Sequence, residues 1–484
     1  MSEELSIFQK YPDYEAVIGM EVHVQLNTET KIFCPCKNSI SNLPNQNICE
    51  VCCAYPGTLP VLNEKVVDYA IMAALGINAE INENNCFDRK HYFYADLPKG
   101  YQITQNFFPY CKEGFVEIKD ENGNLKKIRI HHIHMEEDAG KNTHTDEYGS
   151  LVDYNRAGTP LLEIVSYPDM KSAFEVRAYL KELYSIMTSL NITTGNMEEG
   201  AFRADANVSV RKKGAEKLGT KCELKNINSF KFIYDAVQYE IERQIEEIEN
   251  GGIIKQQTRL WDTKLKKTYV MREKEGAEDY RYFPDPDLMP LKIDKNWIEK
   301  IKNLMPELPT EKKKRFVKDF GLSEYEAEVL VEDVFAAKYF EKAYAIYNSK
   351  NLVNWILREI MGIAKEKRKN LDEILFREES LVDLVKLLDE QKITQKIAKD
   401  VFEKCFESGI KPSDYVKENN LIVEFLSEDK IREIISNLIN QNQSQFLEYK
   451  SGKDRLKGFF IGKVMAETKG CANPEIINKI FNEF

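Results

Sequence analysis

Residues 16–26 read AVIGMEVHVQL, an alternation of apolar and polar side chains. Successive side chains of a strand point to opposite faces, so Ala16, Ile18, Met20, Val22, Val24 and Leu26 share one side, and Gly19, Glu21, His23 and Gln25 share the other. Such a segment is a strand with one face on a core. The pattern returns in AFRADANVSVR, where Phe202, Ala204, Ala206, Val208 and Val210 alternate with Arg203, Asp205, Asn207, Ser209 and Arg211. In KCELKNINSF, Lys221, Glu223 and Lys225 again fall on one face. These polar faces carry particular chemistry: a guanidinium forks onto phosphate, Asp is a hard metal ligand, and Glu and His two apart can ligate one ion side by side. HMEEDAGK (134–141) and NMEEG (196–200) add paired carboxylates. Taken singly, each segment reads as a solvated strand face or turn. Their recurrence predicts one sheet whose open face binds a divalent metal and phosphate.

The periodicity changes near residue 294. Before it, strands mix with capped helices: one from a cap at Asn63 to Gly76, one opening at Ser172 with Glu175 three residues on, one ending at Gly251-Gly252. Pro284, Pro286, Pro290, Pro306 and Pro309 crowd the junction. Beyond it the chain reads as amphipathic helices, with a second break at Gly409 to Pro412. The expectation is an α+β domain over 1–294, a helical domain over 295–408 and a small helical tail over 409–484. Three domains suit 484 residues at roughly 150 residues each.

Five of the ten cysteines lie between positions 34 and 53. Cys34 and Cys36 form CxC, Cys49 and Cys52 form CxxC, and four thiolates from two adjacent turns can enclose one tetrahedral zinc. A closed sulfur site leaves no open position, so this zinc would be structural. Cys53, beside Cys52, points elsewhere. The bland reading, small buried hydrophobes, is disfavoured by the paired spacing.

Lys and Arg number 68 and Asp and Glu 79, so the net charge of −11 excludes a generic polyanion binder. Any nucleic-acid contact needs a local basic patch. Residues 449–484 offer one, with seven Lys and Arg against four Asp and Glu. The start, MSEELSIFQK, lacks the features of a signal peptide, and no apolar run approaches the roughly 18 residues of a membrane span, so a cytoplasmic protein is expected. No Walker A motif, GxGxxG after a strand, HExxH or GxSxG occurs in a usable context. A cysteine nucleophile is not evident either. His131, His132 and His134 read as strand positions beside the acidic loop rather than as a zinc site.

Read together, VIGMEVHVQL, AYPGTLPVLN, FDRKHYFYADLPKGYQITQ, HMEEDAGK, DYNRAGTPLLEIVS, MEEGAFRADANVSVR, GTKCELKNINSF, DYRYFPDPDLMPL and GFFIGKVMAETKGCANP resemble the GatB family, the B subunits of aspartyl/glutamyl-tRNA amidotransferases. The similarity runs over essentially the whole chain. It implies a ligase in which ATP phosphorylates the side-chain carboxylate of Glu misattached to tRNA(Gln), or of Asp on tRNA(Asn), and ammonia then displaces the phosphate. It implies a glutamine-synthetase-like catalytic domain with a mostly antiparallel sheet, and a tRNA-binding helical tail. It also implies a separate amidase (glutaminase) partner that makes the ammonia, an enclosed channel that carries it, and a small third partner that clasps the other two. By resemblance Glu21, His23, Glu137, Asp205 and Glu223 are magnesium ligands. Lys90, Arg203, Asn207 and Lys225 serve phosphates or substrate, with Arg203, Asn207 and Lys225 on ATP. Two departures matter: some members lack the zinc cysteines, and the family's residue after CxxC is apolar where this chain has Cys53. The competing readings are a stand-alone carboxylate–amine ligase and a noncatalytic RNA-binding or assembly protein.

Overall fold

The structure, a computed structural model, describes residues 7–484 apart from 40, 42, 146, 148, 228, 274–279, 368, 370, 372, 424–425, 452, 454 and 469–470. The acidic start MSEELS, and Asp454 and Lys469 of the tail's charge count, lie outside the described residues. The chain divides into two units, 1–311 and 312–484.

Seven strands build most of a ten-stranded sheet in the first unit: β1 (Tyr14–Gln25), β2 (Leu125–Glu137), β3 (Pro160–Ser166), β4 (Phe202–Lys212), β5 (Cys222–Ile227), β6 (Gln257–Asp262) and β7 (Lys267–Glu273). Their spatial order is β7-β6-β5-β4-β1-β3-β2, and short strands extend the β2 edge. All these pairings are antiparallel except β5 with β6. A parallel pair needs a crossover, and the helix Phe230–Glu249 supplies it.

Both segments with strict alternation are central strands. The apolar set of β1, Ala16 to Leu26, and that of β4, Phe202 to Val210, are buried in one cluster. Three helices cover that face: α1 (Glu64–Gly76), α2 (Ala173–Ser189) and α3 (Phe230–Glu249) contribute Val66 and Ala70, Val176, Tyr179 and Leu183, and Ala236, Ile241 and Ile245. Each fully buried aliphatic side chain contributes about 1.5–3 kcal/mol. The helix starts follow the sequence signals. Asn63 accepts from Lys65 N at 2.9 Å, and Ser172 accepts from Glu175 N at 3.2 Å. Glu175 does not close a capping box on Ser172, because its carboxylate turns to Lys171 N at 2.6 Å and to Lys126 at 2.8 Å. With the core on one side, the opposite face of the sheet keeps its polar row.

The first unit extends past the expected boundary at 294. Helix Lys295–Lys302 packs back onto the first core, with Ile301 buried there and Trp297 donating to Asp68 at 2.8 Å.

Residues 312–484 are helical, with two separate cores. One gathers Phe316, Phe340, Trp355, Phe376 and Phe402. The other gathers Ile431, Ile435, Phe460, Val464, Ile477 and Phe481. The Gly409–Pro412 break is a turn inside the first of these: Gly409 caps helix Gln395–Ser408 with φ 69°, and Val416 of the next helix is buried with Phe402. Leu421 still packs there, whereas Leu426 packs on the last cluster, so the cores part between those residues. Among the described residues no helix is long and apolar enough to cross a membrane.

Candidate active site

Register assembles the polar face. On β1 and β4, Glu21 lies opposite Asp205, His23 opposite Arg203 and Gly19 opposite Asn207. On the other flank of β1, His23 lies opposite Glu163 of β3, which lies opposite His134 of β2, two residues before Glu136. A register shift between Ala204 and Ala206 places an extra residue in β5, and Lys225 comes beside Asp205. Bulges of this kind re-aim side chains. A cleft of about 410 Å³ opens over this face, lined by His23, Tyr92, Glu136, Asp138, Arg203, Asp205 and Lys225 among others.

Acidic and basic groups interleave across it. His23 Nε2 stands 3.5 Å from Glu136 and 3.7 Å from Glu163, and these three residues offer ligand atoms within 4.8 Å of one another. His134 Nε2 is 2.6 Å from Glu163 and 3.5 Å from Glu136. Burial opposes a charge on His134, but Glu163 and Glu136 outweigh it and lift its pKa to about 10. Burial likewise pushes Glu163 up, and His134 prevails, with help from His23 and Lys90, holding it well below the usual range. His134 is a built-in counter-charge for a carboxylate pair. Glu21, which accepts from Asn207 Nδ2 at 2.9 Å, is raised by burial first and by Glu163 second. Crowded carboxylates with one imidazole are a hard, oxygen-rich set, the donor chemistry that magnesium takes.

On the other flank the cations gather. Lys225 Nζ bridges Asp205 and Glu223 at 3.1 Å each, and Thr258 donates to Glu223 at 2.9 Å. Burial works against the charge on Lys225, but Asp205 and Glu223 raise its pKa above the ordinary value. Arg203 donates to Asp138 at 3.0 Å, as does Gln25, while the buried Arg203 Nε has no hydrogen-bond partner among the described residues. A guanidinium held on one side with an unmatched N–H on the other fits an anionic oxygen.

Eight of the nine expected site residues map onto this side of the sheet or its rim. Lys90 comes from the hairpin Asp88–His91/Tyr101–Thr104, with Nζ 4.7 Å from the Tyr280 ring centroid. Glu137 does not join them. It pairs opposite Pro160 on the far face, receives Ile103 N at 2.9 Å and forms an ion pair with Lys99. Adjacent strand residues face opposite ways, and Glu136 takes the inward place. Glu163 carries a faint signal in the sequence, as the lone charge in the apolar run PLLEIVS.

Cys34, Cys36, Cys49 and Cys52 form a second constellation, with their sulfurs within 4.8 Å of one another. A zinc with Zn–S of about 2.3 Å spaces its sulfurs about 3.8 Å apart. The Cys36–Cys52 and Cys49–Cys52 separations are 4.0 Å. Lys31, fully buried, donates to Asn47 O at 2.7 Å and lies 3.7 Å from Cys52 Sγ. A hydrogen bond from Cys34, aided by Lys31, pushes the Cys52 thiol down to about 4. The four residues fit a tetrahedral thiophilic ion, and Cys53 stands outside the group.

Residues 16–299 match the family model described as the GatB/GatE catalytic domain, and residues 338–484 match the GatB domain. The B subunit of the aspartyl/glutamyl-tRNA(Asn/Gln) amidotransferase of Persephonella marina is 49% identical over 473 residues, 97% of this chain and 99% of the relative. Subunits of the same name from Geotalea daltonii and Carboxydothermus hydrogenoformans are 50% and 48% identical, each over 97% of this chain and 98% of the relative. The polar-faced sheet and the helical region after it therefore carry a family assignment over nearly their whole length: the chain belongs to the GatB family of aspartyl/glutamyl-tRNA amidotransferase B subunits.

Proposed function

We propose that this chain amidates the side chain of Glu on tRNA(Gln), or of Asp on tRNA(Asn), through an acyl phosphate. The observation that carries the reading is one sheet face holding a carboxylate–imidazole group beside a row of cations. A carboxylate is a poor acyl donor, so its oxygen first attacks the γ-phosphorus of ATP and ADP departs. Ammonia then attacks the acyl carbon, the carbon–oxygen bond to phosphate breaks, and the nitrogen gives up one proton, to the departing phosphate or to solvent, to leave the amide. In this reading Arg203, Lys225 and Asn207 hold phosphate oxygens, and Lys90 serves the substrate from the rim. Glu21, His23, Glu136 and Glu163, with Asp205 and Glu223 across the cleft, would hold magnesium, whose chemistry is to neutralise the oxygens that gather charge. Glu137 supports this group from behind rather than ligating. Zinc at the four cysteines is structural.

The names of the relatives support a multisubunit assembly acting on tRNA. In this reading a separate amidase (glutaminase) partner supplies ammonia from glutamine, a small third partner completes the assembly, and the chain works in the cytoplasm. In this reading the first unit, residues 1–311, is catalytic on a glutamine-synthetase-like sheet, the helices of 312–421 form a separate core, and the last helical cluster, from Leu426 onward, binds tRNA. The test combines the purified chain, its amidase partner, ATP and each mischarged tRNA, and identifies the amino acid released. Gln or Asn appearing only with ATP supports the reading. ATP turnover without tRNA would favour a stand-alone ligase, and no ATP turnover under any condition would favour a noncatalytic role.

A further inference from the structure

A tRNA that delivers its amino acid to this cleft must enter with its unpaired 3′ end, and one rim displays the side chains that hold unpaired nucleotides. The segment Tyr92–Gly100 joins the hairpin strands Asp88–His91 and Tyr101–Thr104. Tyr92 lines the cleft. Tyr94 packs edge-on against Tyr92 with centroids 6.1 Å apart, and Tyr280 meets Tyr92 at 6.2 Å. The rings run outward from the cleft wall: Tyr94 is 63% exposed and Phe93 75%. Aromatic rings so exposed leave their π-faces to solvent.

The loop is held in place. Tyr154 Oη donates to Ala95 O at 2.8 Å, Gly140 N donates to Asp96 O at 2.8 Å, and Gly100 N donates to Leu97 O at 3.0 Å. Gly100 has φ +72°, and a Cβ there would come within 3.1 Å of the Phe93 ring, so the glycine makes room for it. Cations accompany the rings. Lys90 Nζ lies 4.7 Å from the Tyr280 centroid, and Arg281 Cζ 5.8 Å from that of Phe93. In a chain of net charge −11, local cations are what lets a phosphate backbone approach. Exposed aromatics interleaved with Lys and Arg are the arrangement on which successive bases of a single strand stack.

We propose that the Tyr92–Gly100 loop is a stacking platform for the last unpaired bases of the aminoacylated tRNA, with Phe93 and Tyr94 as its rings and Lys90 and Arg281 as its cations. This rests on the tRNA-amidation reading above. The test uses the assembled amidotransferase with free ammonia, ATP and Glu-tRNA(Gln). Phe93→Ala and Tyr94→Ala should each raise the KM for charged tRNA about tenfold, the loss expected of one stacked base. The KM for ATP should stay near that of the parent, and Phe93→Tyr should restore tRNA use. A tRNA with abasic nucleotides at its last unpaired positions before the terminal adenosine should be poor for the parent. It should be no poorer for the double variant than an intact tRNA is. A parent-like tRNA KM in the double variant overturns the platform. A rise confined to ATP also overturns it and assigns the rings to adenine. A parent enzyme that amidates no tRNA defeats the functional reading and the platform together.

Discussion

Glu136 and Glu137 are adjacent in sequence and stand on opposite sides of one strand, so a single dipeptide presents one carboxylate to the cleft and the other to the packing behind it. Glu136 faces His23 and His134, and Glu137 meets Lys99 and Ile103 N on the far side. Glu136→Gln should cut ammonia-driven amidation about 100-fold or more and raise the magnesium requirement, since one charge is lost where phosphoryl oxygens gather. Glu137→Gln should instead cost about 1–3 kcal/mol of stability, as a buried partner of Lys99 weakens, and leave the magnesium requirement unchanged. Equal magnesium profiles for the two variants would sink the assignment. Alternation alone gives the faces of a strand but not which one meets the site at its end. That choice comes from the pairing of Leu161 with Glu136, a register no local pattern contains. Residues on the two strictly alternating strands, Glu21, His23, Arg203, Asp205 and Asn207, were legible because the core fixed their direction. Glu163 was not, because its neighbours on the same face of the strand, Leu161 and Val165, are both apolar and nothing marks that face as polar.

Two elements brace the sheet away from the cleft, and each makes its own prediction. Among the described residues of 34–53 only Cys34 and Cys52 are buried, so a metal held by the four thiolates would supply much of the folding energy of these turns. About one zinc per chain is expected, and Cys49→Ser or a strong chelator under reducing conditions should lower the melting temperature. Metal-stripped protein that melts like the parent would remove the structural role. On α3, Glu240 is fully buried and accepts from Arg243 at 2.6 Å, Gln244 at 2.9 Å and Thr268 at 3.0 Å, with Arg259 at 3.4 Å. Burial pushes its carboxyl up, but Arg243 and Gln244 outweigh that and hold it below the ordinary range. A depressed carboxylate stabilises the fold above its unfolded pKa of about 4.3, and that contribution is lost as pH falls through the lower folded value. Glu240→Gln should therefore cost about 3 kcal/mol at neutral pH, by leaving buried guanidinium charge unmatched. The gap between its urea midpoint and the parent's should shrink below about pH 4. A gap that holds constant into acid would mean that packing, not charge, matters there. No period in the sequence announces Glu240, since a Glu on an amphipathic helix ordinarily faces water.

At the scale of the whole chain, composition and proline spacing told where periodicity changes, but cores decide where units end. Pro306 and Pro309 follow Trp297 and Ile301, which pack on the first core, and Gly409–Pro412 turns the chain within a core. A proline marks a helix boundary, and only burial marks a domain boundary. The last helices, Glu428–Gln441, Gln443–Lys450, Arg455–Glu467 and Pro474–Glu483, close their own cluster around Phe460 and Phe481. This predicts two different outcomes for two truncations. Removing 412–484 strips Val416 from the core of Phe402 and should destabilise the helices that remain. Removing 426–484 cuts between cores, so the remainder should keep its melting transition. If the tail binds tRNA, the second truncation should raise the KM for charged tRNA and flatten its dependence on salt, because lost phosphate contacts no longer release counterions. The KM for ATP should not move, since the polar sheet face lies wholly within residues 1–311. Measuring both constants across ionic strength separates the cases: a parent-like salt slope after removal of 426–484 would place the tRNA contacts elsewhere on the chain.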